Sequence, residues 1–190
     1  MGDVSALRVF FALWPDAPVR DQLAALARAA SERAHGRAPP PENLHMTLVF
    51  VGDVPGSSVA TLSAIGRAVA ATAAPFALML DRIGAFHRQG IAWAGASSPP
   101  AALDQLAAEL GDGLAAQGFI LERRAFRAHV TLARRCRIRA GDPMRDGEPV
   151  SAPVVWNVSR LTLVASELAS GPPQYRELDG WPLLGEGPRS

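Results

Sequence analysis

The sequence His-x-Thr-Leu occurs twice in this chain, at His45–Leu48 and, 84 residues later, at His129–Leu132. Each copy lies in a run of apolar and β-prone residues, which predicts a strand. Because side chains alternate across a strand, the histidine and threonine of each copy share one face, and the apolar residues between and beyond them share the other. In the first copy we expect this apolar face to consist of Leu44, Met46, Leu48 and Phe50. The sequence therefore predicts the same pair of polar side chains, one histidine and one threonine, on one face of each of two buried strands.

The composition is that of a globular domain. Of the 190 residues, 48% are hydrophobic and 19% are charged, and a chain of this length can bury one sizeable core. We expect residues 1–190 to form one domain. The single cysteine, Cys136, excludes an internal disulfide and a multi-cysteine zinc site. No apolar run approaches the ~20 residues that span a bilayer, and Val9–Trp14 makes a poor secretory signal. We expect a cytoplasmic monomer with no membrane association.

All 19 basic residues are arginines, since the sequence contains no lysine. Schiff-base catalysis, lysine-adenylate formation and P-loop phosphate binding each need a lysine, so this chain cannot perform them with its own side chains. The net charge of +1 does not indicate a nucleic-acid-binding protein by itself.

Hydrophobic periodicity and turn residues predict an alternation of strands and helices. The predicted strands are Leu7–Leu13, the first His-x-Thr copy up to Gly52-Asp53, Phe76–Ile83, Gly90–Gly95, Phe126–Ala133, Trp156–Ala165 and Tyr175–Leu178. The predicted helices follow a cap at Asp16 as far as Arg33, run from Ser57 or Ser58 to Ala74, and follow Pro99-Pro100 until Gly118. Residues 140–153 have no periodicity and are predicted to be irregular. This order predicts a duplicated α/β unit whose two sheet lobes meet at a cleft.

Two histidines that flank one cleft would form an acid–base pair. The unperturbed imidazole pKa of about 6.5 lets the side chain give and take protons near neutral pH. The threonines can donate hydrogen bonds to an anion, and arginines crowd around the second copy. These arginines, seven of the 19 within 17 residues, are Arg123, Arg124, Arg127, Arg134, Arg135, Arg137 and Arg139. The set suits a phosphate held between two histidines and attacked in line without a metal.

Other interpretations of the same residues remain open. A lone histidine on a strand is usually structural, although two matched copies are hard to explain by packing alone. Zinc ligation by the two histidines lacks the adjacent carboxylate or cysteine that completes a usual ligand set. His35 and His87 lie in loop and turn segments and are expected to face solvent. The aromatic residues expected in the core rather than in base stacking are Phe10, Phe11, Trp93 and Trp156.

The chain resembles the two-histidine (2H) phosphoesterase superfamily and, within it, the RNA 2′,3′-cyclic phosphodiesterases, also called 2′-5′ RNA ligases. The stretches that carry the resemblance are RVFFALWPD at 8–16, PPENLHMTLVFVG at 40–52, ERRAFRAHVTLAR at 122–134 and WNVSRLTLVASEL…Y at 156–175. The chain departs from the family at Ala128, where the family usually has proline. That position shapes the backbone and performs no chemistry.

The resemblance implies an α/β (α+β) fold of two antiparallel-rich sheets around a central cleft, with the helices outside. It implies hydrolysis of a terminal 2′,3′-cyclic phosphate on RNA ends or nucleotides to a 2′-phosphate, with no metal or cofactor. By that analogy His45 is the general acid and His129 the general base, although near-symmetry leaves the two roles exchangeable. The substrate-binding residues implied are Thr47, Thr131, Arg134 and Phe11.

Two further functions stay open at the level of sequence. One is a 2H enzyme for another substrate, such as a cyclic phosphate of an ADP-ribose product or a short 2′-5′-linked oligonucleotide. The other is a non-catalytic module that binds RNA ends. Turnover of an ADP-ribose cyclic phosphate or a 2′-5′-linked oligonucleotide would indicate the first alternative. Binding of RNA ends without turnover would indicate the second. The reverse joining reaction is also implied by the family, but water competes with an RNA hydroxyl for the same phosphate.

Overall fold

The computed structural model describes residues 6–121, 126–167 and 173–186. The strands are β1 Ala6–Leu13, β2 Met46–Pro55, β3 Phe76–Phe86, β4 Ile91–Gly95, β5 Val130–Arg134, β6 Glu148–Val158, β7 Arg160–Glu167 and β8 Gln174–Pro182. The α-helices are α1 Ala17–Arg33, α2 Val59–Thr72 and α3 Ala101–Ala116. Short 3-10 turns lie at Pro41–Asn43, Gly56–Ser58 and Pro143–Arg145. The three predicted helices are confirmed.

The strands form one open antiparallel sheet in the order β6-β3-β4-β5-β2-β1-β7-β8. The two predicted sheets correspond to its two four-stranded halves. The first lobe is β2-β1-β7-β8 and the second lobe is β5-β4-β3-β6. They join where β2 meets β5 through the residue pair Met46–Val130, called the central pair below. Each lobe begins at this junction with the strand that carries one His-x-Thr copy.

The helices and the main hydrophobic core cover one face of this sheet. Helix α1 packs on β5 and β6, while α2 packs on β7 and β8 and α3 on α2 and β2. The core side chains of the two central strands belong to the same buried cluster as the apolar faces of the helices. The histidines and threonines of the two copies therefore lie on the opposite face, where α3 reaches only the side of His129 and Thr47.

Helix α1 begins where the sequence predicts. The Asp16 side chain accepts a hydrogen bond from the backbone N–H of Val19 at 3.2 Å, which satisfies one of the free amides of the first turn. The buried face of the helix consists of Val19, Leu23, Ala24, Ala27 and Ala30. This helix carries the chain from the end of β1 to the loop before β2, and so fixes where the first histidine enters the sheet.

The prediction for residues 140–165 was wrong in its strand bounds. Residues 140–153 were expected to be irregular, but β6 already starts at Glu148. The predicted strand Trp156–Ala165 is two strands that separate at Ser159 and lie in different lobes. Strand β6 is an edge strand, where Pro149 and Pro153 are tolerated because one row of amides has no ladder partner. Its exposed first half lacks the apolar alternation of a half-buried strand.

Strand β2 is longer than predicted and contains two register shifts against β1. The strand passes through Gly52, whose φ of +95° suits glycine, and ends at Pro55 rather than at Asp53. Up to Leu48 the alternation is as predicted, with Leu44, Met46 and Leu48 buried. The shift between Thr47 and Val49 reverses it, because it places Phe50 opposite Phe10 and so turns Phe50 outward, where it is 41% exposed. The prediction that Phe50 faces the core was therefore wrong.

Strand β5 begins at Val130 rather than at Phe126. His129 accordingly lies just before the strand, as His45 lies just before β2. Arg123 and Arg124, which the sequence placed in the arginine cluster, lie outside the described residues. Within the described ranges, no helix is both long enough and apolar enough to cross a bilayer.

Candidate active site

The four polar side chains of the two copies meet around the central pair. In an antiparallel ladder the residues one step before and after a pair are also opposite each other. This register places His45 opposite Thr131, and Thr47 opposite His129. The two cavities beside the central strands agree with it, since one is lined by His45 and Thr131 and the other by Thr47 and His129. Each histidine therefore lies beside the threonine of the other copy as well as its own.

The His45 ring is held by hydrogen bonds at both nitrogens. Its Nδ1 lies 2.7 Å from the backbone carbonyl oxygen of Asn43, and its Nε2 lies 3.1 Å from the hydroxyl oxygen of Thr47. A carbonyl oxygen can only accept, so Nδ1 carries the proton. In the neutral ring Nε2 then accepts from the Thr47 hydroxyl. Proton exchange with a substrate is thus assigned to Nε2.

Three aromatic side chains enclose the same ring. Trp14 stacks on His45 with ring centroids 4.6 Å apart and planes 10° from parallel. Phe10 and Tyr175 lie at 5.2 Å and 5.0 Å, the tyrosine edge-on. Trp14 is itself fixed, because its indole N–H donates to the backbone carbonyl of Glu42 at 3.0 Å. The orientation of His45 is therefore set by packing as well as by hydrogen bonds.

This enclosure changes the acidity of the ring. Burial lowers the pKa of His45 to about 4, because the charged imidazolium loses its hydration among the aromatic side chains. The hydrogen bond to Asn43 opposes the shift, and the positive charges of Arg134 and of protonated His129 add to it. At neutral pH His45 is uncharged in the free protein.

His129 repeats the arrangement of His45. Its Nδ1 lies 2.6 Å from the carbonyl oxygen of Arg127, again the residue two positions earlier. Its ring packs edge-on against Phe86 with centroids 5.0 Å apart, and the Arg127 guanidinium lies over the same Phe86 ring at 5.7 Å. The proton on Nδ1 again leaves Nε2 as the exchanging nitrogen. The two copies thus present equivalent ring atoms.

On the His45 side lies a cleft of about 530 Å³, called the arginine cleft here. Its lining residues are Arg37, Ala38, Pro39, Pro40, Asn43, His45, Thr131, Arg134, Arg135, Pro173 and Tyr175. The backbone N–H of Arg37 donates to the carbonyl oxygen of Arg134 at 2.8 Å, and the N–H of Arg134 donates to the carbonyl oxygen of Arg37 at 2.9 Å. The end of β5 is thereby bound to the loop that precedes the first histidine.

On the His129 side lies a second cavity of about 800 Å³, called the apolar cavity here. Most of its lining is aliphatic or aromatic, with Phe50, Leu121 and Phe126 as the large side chains. Among the described residues that line it, Asp104 and Arg127 carry charges of opposite sign. In their described linings the two cavities beside the histidines therefore differ in charge as well as in polarity.

The structure corrects one predicted site residue. Phe11 is wholly buried in the main core, where its ring lies close to Gly66 and Trp181. It follows from strand alternation that Phe10, not Phe11, shares the face of His45. The spacing Phe10-x-Ala12-x-Trp14 is visible in the sequence and would have identified both aromatic neighbours of His45.

The other predicted residues lie as follows. His35 and His87 are exposed, as predicted, and Trp156 is in the core at 3% exposure. Arg134 lines the arginine cleft. Arg37 was not predicted for this site, and Tyr175 was named only as the end of the family-like stretch 156–175, because only the fold brings these distant segments to His45. In the described ranges no three His, Cys, Asp or Glu side chains cluster as metal ligands do.

An α/β fold whose two central strands each bring a His-x-Thr pair to one face is that of a 2H phosphoesterase. A comparison with family models identifies the family. The chain belongs to the LigT like Phosphoesterase family, whose model matches residues 13–93 and 95–174.

Individual relatives agree with this membership. The chain is 31% identical over 176 residues to the RNA 2′,3′-cyclic phosphodiesterase of Escherichia coli strain K12. That alignment covers 93% of this chain and 96% of the relative. The chain is 34% identical over 148 residues to the protein of the same name from Geobacillus stearothermophilus, covering 76% of this chain but only 46% of that longer relative. The crystal structure of E. coli LigT complexed with 3′-AMP superposes with a TM-score of 0.80 at 31% identity, covering 94% of this chain and 99% of that one.

Proposed function

We propose that this protein hydrolyses the terminal 2′,3′-cyclic phosphate of RNA or of a nucleotide to a 2′-phosphate. His129 is the general base and His45 the general acid, and no metal takes part. Relatives along most of the chain carry the name of this activity. The observation that carries the proposal is the opposition of two His-Thr pairs across the central pair of strands, with Nδ1 of each ring fixed by the carbonyl oxygen of the residue two positions earlier.

The proposed step balances without a cofactor. His129 Nε2 takes a proton from water, and the water oxygen bonds to phosphorus on one side. The bond between phosphorus and the ribose 3′ oxygen breaks on the other side, and that oxygen takes the proton of His45 Nε2. The product has a 3′ hydroxyl and a 2′-phosphate, and the two histidines regain their starting states by proton exchange with solvent. Each proton transfer is typically worth about 10²–10⁴-fold in rate.

The low pKa of His45 bears on its role as the acid. An imidazole that is neutral at pH 7 must gain a proton before it can donate one. A bound phosphodiester anion would raise the pKa of His45, because opposite charge favours the imidazolium. If the anion fails to do so, the roles exchange and His45 is the base. In either case the pH profile of kcat/KM is bell-shaped and reports the pair.

The threonines and one arginine complete the proposed phosphate site. Thr47 and Thr131 lie beside opposite histidines, so their hydroxyl groups can donate to the two non-bridging oxygens from either side. Arg134 lines the cleft next to Thr131 and supplies a cation for the phosphate. Phe11 has no part in this proposal, because the core buries it.

The remaining attributes stay predictions of the sequence. Reverse 2′-5′ joining would need a second RNA end, held so that its 5′ hydroxyl replaces water. A single domain over residues 1–190, a monomeric state, a cytoplasmic location and the lack of a cofactor belong to the same proposal.

Purified protein incubated with EDTA and a short RNA ending in a 2′,3′-cyclic phosphate tests the proposal. We expect a 2′-phosphate product, identified by chromatography, and no turnover by His45→Ala or His129→Ala. His87→Ala, which alters an exposed turn, is the matched control and should behave as wild type. Activity that is lost with chelator and restored by zinc would contradict the metal-independent mechanism. Full activity in either active-site variant would remove the acid–base pair.

A further inference from the structure

The arginine cleft carries more positive charge than one cyclic phosphate needs. Arg37, Arg134 and Arg135 all line it, and no carboxylate of the described residues does. Within the described ranges none of the three forms a salt bridge, whereas Arg8, Arg33, Arg160 and Arg176 each pair with an acidic residue. Three unneutralised guanidinium groups around one cavity attract a multiply charged anion.

The backbone holds this cluster in place. Arg37 and Arg134 are bound to each other in both directions, and the amide of Arg137 donates to the carbonyl of Ala34 at 2.7 Å. Between these links Arg135 adopts a φ of +58°, in the left-handed region that non-glycine residues seldom occupy. Backbone strain of this kind concentrates at ligand-binding sites. The two backbone hydrogen bonds between Arg37 and Arg134 therefore fix the segments from which the side chains of Arg37 and Arg135 extend.

We propose that Arg37 and Arg135 form a second phosphate subsite, which binds the 5′ phosphate of the nucleotide whose cyclic phosphate lies between the histidines. The inference rests on the proposed function, because that function places the reacting phosphate next to Arg134. The preferred substrate is then an RNA end or a 5′-phosphorylated nucleotide rather than a nucleoside cyclic phosphate. It deepens the proposed function by assigning the residues that hold the 5′ phosphate of the substrate.

The position of the subsite agrees with the direction of the reaction. The ribose lies on the side of its leaving 3′ oxygen, and the proposed acid on that side is His45, which borders the arginine cleft. Among the described residues, the opposite cavity favours a second phosphate less, because Asp104 offsets Arg127 there and the other described walls are largely apolar. The continuation of the RNA chain is therefore assigned to the arginine cleft.

Binding of two unreactive nucleotides tests this subsite without turnover. Calorimetry would compare adenosine 2′-monophosphate with adenosine 2′,5′-bisphosphate on the full chain. One charge-assisted interaction gained by the 5′ phosphate should make the bisphosphate bind about tenfold more tightly or better. The ratio of the two affinities should fall towards one in Arg37→Gln and in Arg135→Asn. Asparagine tolerates the left-handed backbone, so the second variant removes charge without adding strain.

The control is Arg28→Gln, which removes one positive charge from the exposed side of α1. It should retain the wild-type ratio. Equal affinities of the wild-type protein for the two nucleotides would overturn the subsite. The subsite would also be overturned if Arg37→Gln and Arg135→Asn both keep the wild-type affinity ratio while circular dichroism shows that they are folded. Turnover of adenosine 2′,3′-cyclic phosphate is measured in parallel. Tighter binding of the bisphosphate without turnover of the cyclic phosphate would support the subsite and contradict the hydrolysis proposal. Turnover with equal binding of the two nucleotides would support hydrolysis and overturn the subsite.

Discussion

Met46 of β2 pairs with Val130 of β5, and this pair is the backbone junction of the two lobes. Both side chains are fully buried, at 0% exposure, on the helix-covered face of the sheet. The histidines and threonines flank the same two residues on the opposite face. The apolar residue inside each His-x-Thr copy therefore anchors the lobes to each other, while its polar neighbours form the candidate site.

Met46→Ala should destabilise the fold markedly. Removing a buried methionine side chain leaves a cavity at the junction and should cost about 2–5 kcal/mol of unfolding free energy. Denaturant unfolding measures the loss. Met79→Ala is the matched control, because Met79 is 51% exposed and a surface change of this kind should cost about 0.5 kcal/mol or less. Similar losses in the two variants would contradict the role of Met46 at the junction.

Unfolding free energy should depend on pH through His45. The unfolded chain protonates this histidine near pH 6.5 and the folded chain only near pH 4, so the unfolded state binds more protons between these values. Stability should therefore fall as pH drops from about 6.5 to about 4, by up to about 3 kcal/mol from this group. His45→Gln should remove that part of the dependence, while His87→Gln should retain it. Denaturant unfolding at several pH values gives the comparison, and parallel curves for wild type and His45→Gln would contradict the shift.

The sequence was sufficient where local pattern and burial agree. Alternation in β2 predicted correctly that Leu44, Met46 and Leu48 face the core, because one face of that strand is covered by helices. It was wrong at Phe50, since a register shift against β1 reverses the side-chain direction and leaves no mark in hydrophobicity. Strand β6 was missed because it lies at a sheet edge, where burial imposes little pattern.

The site was predictable to the same degree. The two His-x-Thr copies identified four side chains, but their cross-pairing depends on the register at the central pair, which no local pattern contains. Arg37 and Tyr175 reach the cleft through contacts between distant segments of chain, so a reading of the sequence in order had no means to join them to His45.

Trp14→Leu should raise the pKa of His45 from about 4 towards the ordinary imidazole value. The stacked indole excludes water from one face of the ring, and a smaller side chain would let water return and stabilise the imidazolium. An NMR titration of the His45 ring protons measures the shift directly. Trp181→Leu provides the control, because it alters a buried tryptophan in the main core away from the site. An unchanged His45 titration in Trp14→Leu would show that the other neighbours alone lower the pKa.

Thr47→Val and Thr131→Val should each lower kcat/KM about tenfold to a hundredfold, since each removes one hydrogen bond to a charged phosphate oxygen. Valine keeps the branched shape, so packing against the sheet changes little. Serine at the same positions keeps the hydroxyl and should restore most of the activity. Steady-state kinetics with the cyclic-phosphate RNA separate the two substitutions, and unfolding curves check that each variant remains folded. If the serine variants lose as much activity as the valine variants, the hydroxyl alone does not account for the effect, and the threonine methyl group contributes as well. If the valine variants retain full activity, the threonines do not hold the phosphate.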